Sequence, residues 1–231
     1  MAVAVIADAH VGGPGGSAAP LVEQLEQLEQ LERPGGPECE RLVLLGDLFQ
    51  AWIGYPRFET PDHRRVVEVL RRLKAEGLPI HYVEGNRDFF LDRSPYADAL
   101  TTLGTEIGFA TGGVRSLAVH GDGLDPRDRQ YRFWRRASKS FLSRAIVSRI
   151  PEHFARRLVS STEERLSRTN LEHKREVPEA VIRAYAERRL REGYDVLLLG
   201  HFHEERHYEV SGGQVWVLNA WFNHRRVEWL P

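Results

Sequence analysis

Apolar residues in this chain come in short runs that stop at polar punctuation. Leu42-Val43-Leu44-Leu45 breaks at Gly46-Asp47, and Val3-Ala4-Val5-Ile6-Ala7 breaks at Asp8-Ala9-His10. Ile80-His81-Tyr82-Val83-Glu84 is followed by Gly85-Asn86-Arg87-Asp88, Leu117-Ala118-Val119 by His120-Gly121-Asp122, and Val196-Leu197-Leu198-Leu199 by Gly200-His201-Phe202-His203. Runs of this length read as buried strands, and a glycine such as Gly46 lets the backbone turn sharply at the strand end. In α/β folds the carboxyl ends of strands are where chemistry is placed.

Between these runs the period changes. After Pro20, Leu21, Leu25, Leu28 and Leu31 recur at helical spacing, predicting one amphipathic surface helix. Residues 61–76 predict a second helix with Val66, Val67, Leu70 and Leu73 inward and Gly77 as its stop. A strand is expected at 79–84, a short helix at 96–103, and a hairpin turned by Gly112-Gly113 between strands ending at Ala110 and His120. A helix at 178–190, a hairpin turned by Gly212-Gly213 and a last strand near 226–230 complete the pattern. The order βαβα followed by hairpins predicts mixed sheets.

Composition adds limits. A chain of 231 residues, 42% hydrophobic and 28% charged, fits one globular α/β domain spanning 1–231. Cys39 is the sole cysteine, which excludes an intrachain disulfide and thiolate clusters and fits a cytoplasmic protein. The opening apolar stretch is too short for a signal h-region, and no run approaches the ~20 apolar residues of a membrane span. The net charge of −1 is unevenly spread: between 127 and 168 twelve basic residues face four acidic ones, so this stretch carries +8 and the rest −9. Its Tyr131, Phe133, Trp134, Phe141, Leu142, Ile146 and Phe154 are too many for a solvated loop, and predict a helical insertion at about 125–175. Its arginines either solvate exposed helices or form a cap over the site for an anionic substrate with an apolar part.

The five punctuated runs all deliver Asp, Asn or His, oxygen and imidazole donors suited to divalent transition metals. The glycine-rich stretch 11–17 has neither the lysine of a P-loop nor a dinucleotide-binding spacing. Two metals ~3.5–4 Å apart need a shared carboxylate between them, and Asp47 is the candidate bridge.

Asp8-x-His10, Gly46-Asp47, Gly85-Asn86, His120 and Gly200-His201-x-His203, in this order, resemble the calcineurin-like metallophosphoesterases over nearly the whole chain. The resemblance implies an αββα sandwich of two mixed β-sheets with a dinuclear site at the strand ends: Asp8, His10 and His203 on one ion, Asn86, His120 and His201 on the other. The wider motifs Gly46-Asp47-Leu48-Phe49-x-x-Trp52-Ile53-Gly54, Gly85-Asn86-Arg87-Asp88-Phe89-Phe90-Leu91 and His120-Gly121-Asp122-Gly123-Leu124 look like the UDP-2,3-diacylglucosamine pyrophosphohydrolases of lipid A synthesis. That family implies cleavage to 2,3-diacylglucosamine 1-phosphate and UMP, manganese as the metal (iron, zinc or cobalt also suit the donors), and peripheral contact with the inner membrane face. The expected substrate-binding set is Asp125, Tyr131, Arg135, Arg156 and Arg157, the last two a basic pair following Pro151. His201-Phe202-His203 stands where that family has His-Thr-His, and the insertion and C-terminal tail match loosely.

Most relatives in the superfamily carry histidine where this chain has Arg87. Arginine stays charged, so it neutralises phosphoryl charge but does not serve as a general acid. The catalytic pair Asn86 and Arg87 therefore suits a leaving group that needs little protonation, such as a phosphate monoester leaving a pyrophosphate. Asp88 either orients Arg87 or caps the turn, and Phe49, Trp52 and Tyr55 either line a pocket or belong to the core. The rival readings are a general phosphodiesterase or nuclease, using the basic insertion on backbone phosphates, and a non-catalytic scaffold on the same fold.

Overall fold

The computed structural model of the chain describes residues 2–13, 16–31, 39–155 and 178–230. In chain order the elements are β1 (Ala2–Ile6), α1 (Ala19–Leu31), β2 (Cys39–Leu44), β3 (Trp52–Ile53), α2 (Pro61–Ala75), β4 (Ile80–Val83), β5 (Asp88–Phe89), β6 (Thr102–Gly104), β7 (Glu106–Thr111), β8 (Val114–Val119), α3 (Arg129–Ser138), α4 (Phe141–Val147), α5 (Glu179–Arg191), β9 (Val196–Leu199), β10 (Arg206–Val210), β11 (Gly213–Val217), α6 (Trp221–His224) and β12 (Glu228–Leu230). One five-stranded sheet runs β12-β1-β2-β4-β6 and a second β10-β11-β9-β8-β7. Each is mixed: β1, β2, β4 and β6 are parallel with β12 antiparallel, while β11, β9 and β8 are parallel with β10 and β7 antiparallel at the edges.

The layers follow from the two-residue period of strands. Val3, Val5, Ala7, Val43, Leu45 and Val83 of the first sheet point one way and meet Ile107, Ala118 and Leu198 of the second. Their alternates Ala4, Ile6, Leu42, Leu44, Ile80 and Tyr82 point the other way, onto Leu21, Leu25 and Leu28 of α1 and Val66, Val67, Leu70 and Leu73 of α2. On the far side Leu117, Leu197, Leu199 and Val215 meet Ile182, Ala186 and Leu190 of α5. The result is the expected αββα sandwich. Strands buried on both faces also explain why the runs look continuously apolar in sequence.

Two expectations about elements are corrected. Residues 96–103 form no helix: a single 3-10 turn at Ala97–Ala99 leads into β6, whose Thr102, Leu103 and Gly104 pair with His81, Tyr82 and Val83. Backbone pairing at an open sheet edge outweighs the local pattern there. The second hairpin turns at Ser211 and Gly212, both with positive φ (50° and 82°), and Gly213 already belongs to β11. The small β3-β5 sheet and α6 have no counterpart in the sequence pattern. Phe49 and Trp52 are core residues, whereas Tyr55 packs partly buried with Ile53, Phe58, Val147, Ile150 and Ala155, where the inserted helices rest on the body.

Candidate metal centre

Each predicted donor sits one to four residues past the end of a strand, and at five of the seven the backbone is left-handed. Eight non-glycine residues have positive φ among the described residues, and five of them are Asp8 (51°), His10 (46°), Asp47 (51°), His201 (71°) and His203 (57°). Asp and His tolerate this region better than most residues, yet it still costs of order 1 kcal/mol or more each, so their concentration marks a functional site. The loops after β1 and β2 run side by side, with Asp8 N–H donating to the Gly46 carbonyl at 3.2 Å and His10 N–H to the Asp47 carbonyl at 3.0 Å. Two glycines permit the close approach of the remaining loops: a Cβ at Gly85 would lie 2.2 Å from Asp47 Oδ1, and one at Gly200 2.7 Å from Asp8 Oδ2.

The side chains converge in two groups. Asp8, His10 and His203 form one and Asp8, Asp47 and His120 the other, with the donor atoms of each group within 4.8 Å of one another. His203 Nε2 lies 3.2 Å from Asp8 Oδ1 and 3.3 Å from His10 Nε2. His120 Nε2 lies 3.2 Å from Asn86 Oδ1 and 3.7 Å from Asp47 Oδ2. The His201 ring stands edge-on to His120 at 5.1 Å between centroids, and its backbone N–H donates to Asp8 Oδ2 at 2.7 Å. Asp8, rather than Asp47, is thus the carboxylate common to both groups. Asp47 is turned toward Arg87, whose backbone N–H donates to Oδ1 at 2.9 Å and whose Nε stands 3.3 Å from Oδ2.

This donor set fits divalent cations on its own chemistry. Burial pushes His10 down to about 3 and, with the nearby His120, His201 to about 4, so both imidazoles are neutral and keep a lone pair for a metal. Burial raises the Asp47 carboxyl to about 7, against the pull of His120 and with the push of Asp88 and Asp8. Burial would also raise Asp8, but His120, His10 and His203 hold it well below the usual range. Two adjoining buried carboxylates that respond so differently form a site short of positive charge. His120 is the converse case: burial would lower it, but Asp47, Asp8 and Asp122 bring it up to about 9. Its Nδ1 is fixed by the Leu45 carbonyl at 2.6 Å, which leaves Nε2 facing the carboxylates, as in the outer-shell bonding of metal-bound histidines. The buried Nδ1 of His10 has no hydrogen-bond partner.

Two further residues support the centre: Asp88, for which the sequence left two roles open, and Phe222, which it did not single out. Asp88 is buried, and its Oδ2 accepts from Gly85 N–H at 2.7 Å and Asp47 N–H at 3.1 Å; it caps the turns that carry the donors. Phe222 of α6 presents its ring edge to His10 and His203 at 5.4 and 5.2 Å. Carboxylates that serve backbone N–H groups leave no spacing signal, and α6 is too short to have one.

The expected substrate-binding residues are dispersed. Asp125 Oδ1 accepts from Arg127 N–H at 2.8 Å within its own turn. Tyr131 and Arg135 both turn inward to Asp122, the hydroxyl and the Nε (2.6 Å) sharing its Oδ2. Against the opposing effect of burial, His120, Arg135 and Tyr131 hold the Asp122 carboxyl down to about 2. Arg156 and Arg157 lie outside the described residues. On α3 and α4, Phe133 (65%), Trp134 (62%), Phe141 (80%) and Leu142 (72%) are exposed.

A family model described as calcineurin-like phosphoesterase matches residues 1–205. The UDP-2,3-diacylglucosamine hydrolase of Ralstonia nicotianae is 31% identical over 202 residues, covering 81% of this chain and 74% of that protein. The protein of the same name from Edwardsiella ictaluri is 30% identical over 195 residues, with the same coverage. The crystal structure of the hypothetical protein PH1004 from Pyrococcus horikoshii OT3 matches 99% of this chain and 86% of its own with a TM-score of 0.51 at 14% identity, a likeness of fold. Together with the strand-end donors, these matches place the chain in the calcineurin-like phosphoesterase family.

Proposed function

We propose that this protein is a dinuclear metal hydrolase of a phosphoric anhydride that cleaves UDP-2,3-diacylglucosamine to 2,3-diacylglucosamine 1-phosphate and UMP. The observation that carries the metal reading is the convergence of Asp8, His10, His203, Asp47 and His120 at the buried ends of both sheets. Asp8, His10, Asp47 and His203 would hold one ion, and Asp47, Asn86, His120 and His201 the other; although Asp8 is the carboxylate common to both clusters, the bridge is assigned to Asp47 on the resemblance to the family. Bound there, two divalent ions, manganese in the first instance, would lower the pKa of water and draw charge from a phosphoryl group. The protein's own groups do the rest. Asn86 offers amide N–H donors beside its coordinating oxygen. Arg87, 6% exposed and anchored on Asp47, presents a permanent positive charge to a phosphoryl oxygen. Its inability to donate a proton at neutral pH agrees with a phosphate monoester as leaving group.

The acylated substrate is supported by the relatives' names and by the exposed apolar and basic residues of α3 and α4, which also suit peripheral contact with a membrane surface. Rates of the metal-loaded protein on UDP-2,3-diacylglucosamine, on a nucleotide sugar without acyl chains and on an activated phosphodiester test the proposal. The acylated compound is expected to be strongly preferred. Equal or reversed preference would make the protein a general phosphodiesterase.

A further inference from the structure

The helix α3 buries none of its residues, and its large apolar side chains Phe133 and Trp134 point into solvent. Hydrophobic packing therefore does not fix its orientation over the centre. Three polar attachments to the body remain among the described residues of α3, α4 and their junction. Lys139 Nζ donates to the Gly85 carbonyl at 2.9 Å, and Arg144 Nη1 donates to Asp92 Oδ2 at 3.1 Å. The third is the pair Tyr131 and Arg135, one helical turn apart on a single face and both on Asp122. The Asp122 side chain is 5% exposed, against 54% for Asp92, so its bonds are better shielded from water than those of the Arg144 pair.

Asp122 stands two residues beyond His120 in the chain. Gly121 between them runs at φ 111°, where a Cβ would lie 3.2 Å from the Gly200 carbonyl and 3.4 Å from the His201 Cβ. The turn that carries His120 is thus the turn that carries Asp122, and it lies against the His201 turn. We infer that Asp122 is a positioning residue: its carboxylate latches the inserted helix α3, through Tyr131 and Arg135, to the backbone turn that presents His120, and so sets where the insertion stands when an extended substrate enters. Tyr131 and Arg135 then act first by orienting the insertion. The inference rests on the reading above that the strand-end centre does the chemistry.

Asp122→Ala, Asp122→Asn and the unaltered full-length protein are compared. Hydrogen exchange in residues 129–138 is expected to speed up about tenfold or more in Asp122→Ala, while residues 61–75 stay as they were. Bound metal per chain stays the same. KM for UDP-2,3-diacylglucosamine rises about tenfold, whereas kcat and KM for bis(p-nitrophenyl) phosphate stay within about threefold. Asp122→Asn keeps an acceptor for the tyrosine hydroxyl but loses the charge opposite Arg135, so it falls between. Unchanged exchange in 129–138 overturns the latch. Loss of metal with a parallel fall of kcat on both substrates also overturns it, by putting Asp122 in the ion site itself. If the unaltered protein ignores the acylated substrate, the proposed function fails, and the exchange data still decide the latch.

Discussion

Arg87 is the residue at which this site departs most from a histidine-based design, and its surroundings fix what it can do. Its guanidinium is held 3.3 Å from Asp47 Oδ2 in a nearly closed setting, so it contributes charge and shape. Arg87→Ala is expected to lower kcat on the pyrophosphate substrate about a hundredfold, ~3 kcal/mol of transition-state stabilisation, without loss of metal. Arg87→Lys keeps the charge, loses the planar fork and recovers only part of the rate. An Arg87→Ala protein with full kcat would reduce the residue to a brace for Asp47. At Gly85 the limit is steric: the methyl of Gly85→Ala would meet the Asp47 carboxylate, so metal content should drop severalfold while the circular dichroism spectrum is preserved. Wild-type metal content in that variant would show that Asp47 can move freely. The candidate donors stood out in sequence because each follows an apolar run within four residues of its end. The choice between the two roles of Asp88 and the part played by Asp122 did not, because a carboxylate bonded to a backbone N–H or to side chains 9 and 13 residues further along carries no local pattern.

At the scale of elements, α2 shows both what periodicity reveals and what it hides. Val66, Val67, Leu70 and Leu73 face the sheet as their spacing predicts, but His63 at the helix start is buried as well. Thr60 Oγ1 accepts from His63 N–H at 3.3 Å while His63 Nδ1 accepts from Thr60 N–H at 3.0 Å, a capping box with histidine in the usual Glu or Gln place, and Nε2 donates to the Ala51 carbonyl at 3.2 Å. Burial lowers this histidine to about 4. The unfolded chain, with an ordinary pKa near 6.5, then binds more protons than the folded one between about pH 6.5 and 4. His63 thus lets stability fall as pH drops through that window, by up to about 3 kcal/mol, and has no effect above it. His63→Gln keeps the capping acceptor without the titration. The difference in urea-unfolding free energy between the two proteins should tilt toward the variant from pH 7 to pH 4.5, and a pH-independent difference would contradict the assignment. The edge strand β6 and the turn at Ser211 were misread for a shared reason: partners far along the chain decide both, and a local window does not contain them.

Across the whole molecule, the centre exists only because two sheets are packed face to face. β1, β2 and β4 lead to Asp8, His10, Asp47 and Asn86, while β8 and β9 lead to His120, His201 and His203, and the apolar layer of Val5, Val43, Ala118 and Leu198 holds the two sets in register. The element order predicted mixed sheets, and the layer order followed only from the resemblance to the family. The crossing of donors from opposite sheets was not readable, since no spacing in the chain reports how the sheets stack. No helix among the described residues is long and apolar enough to cross a membrane. Because the ions would tie the sheets together, the melting temperature should rise with added Mn2+ and fall on chelation. The central claim is two ions joined by one carboxylate, and the most direct test is metal content per chain after Mn2+ loading, measured in the wild type and in Asp47→Ala together with turnover. The account predicts two ions in the wild type, one or none in Asp47→Ala, and no turnover in the variant with the fold intact. Two ions and full activity in Asp47→Ala would contradict it.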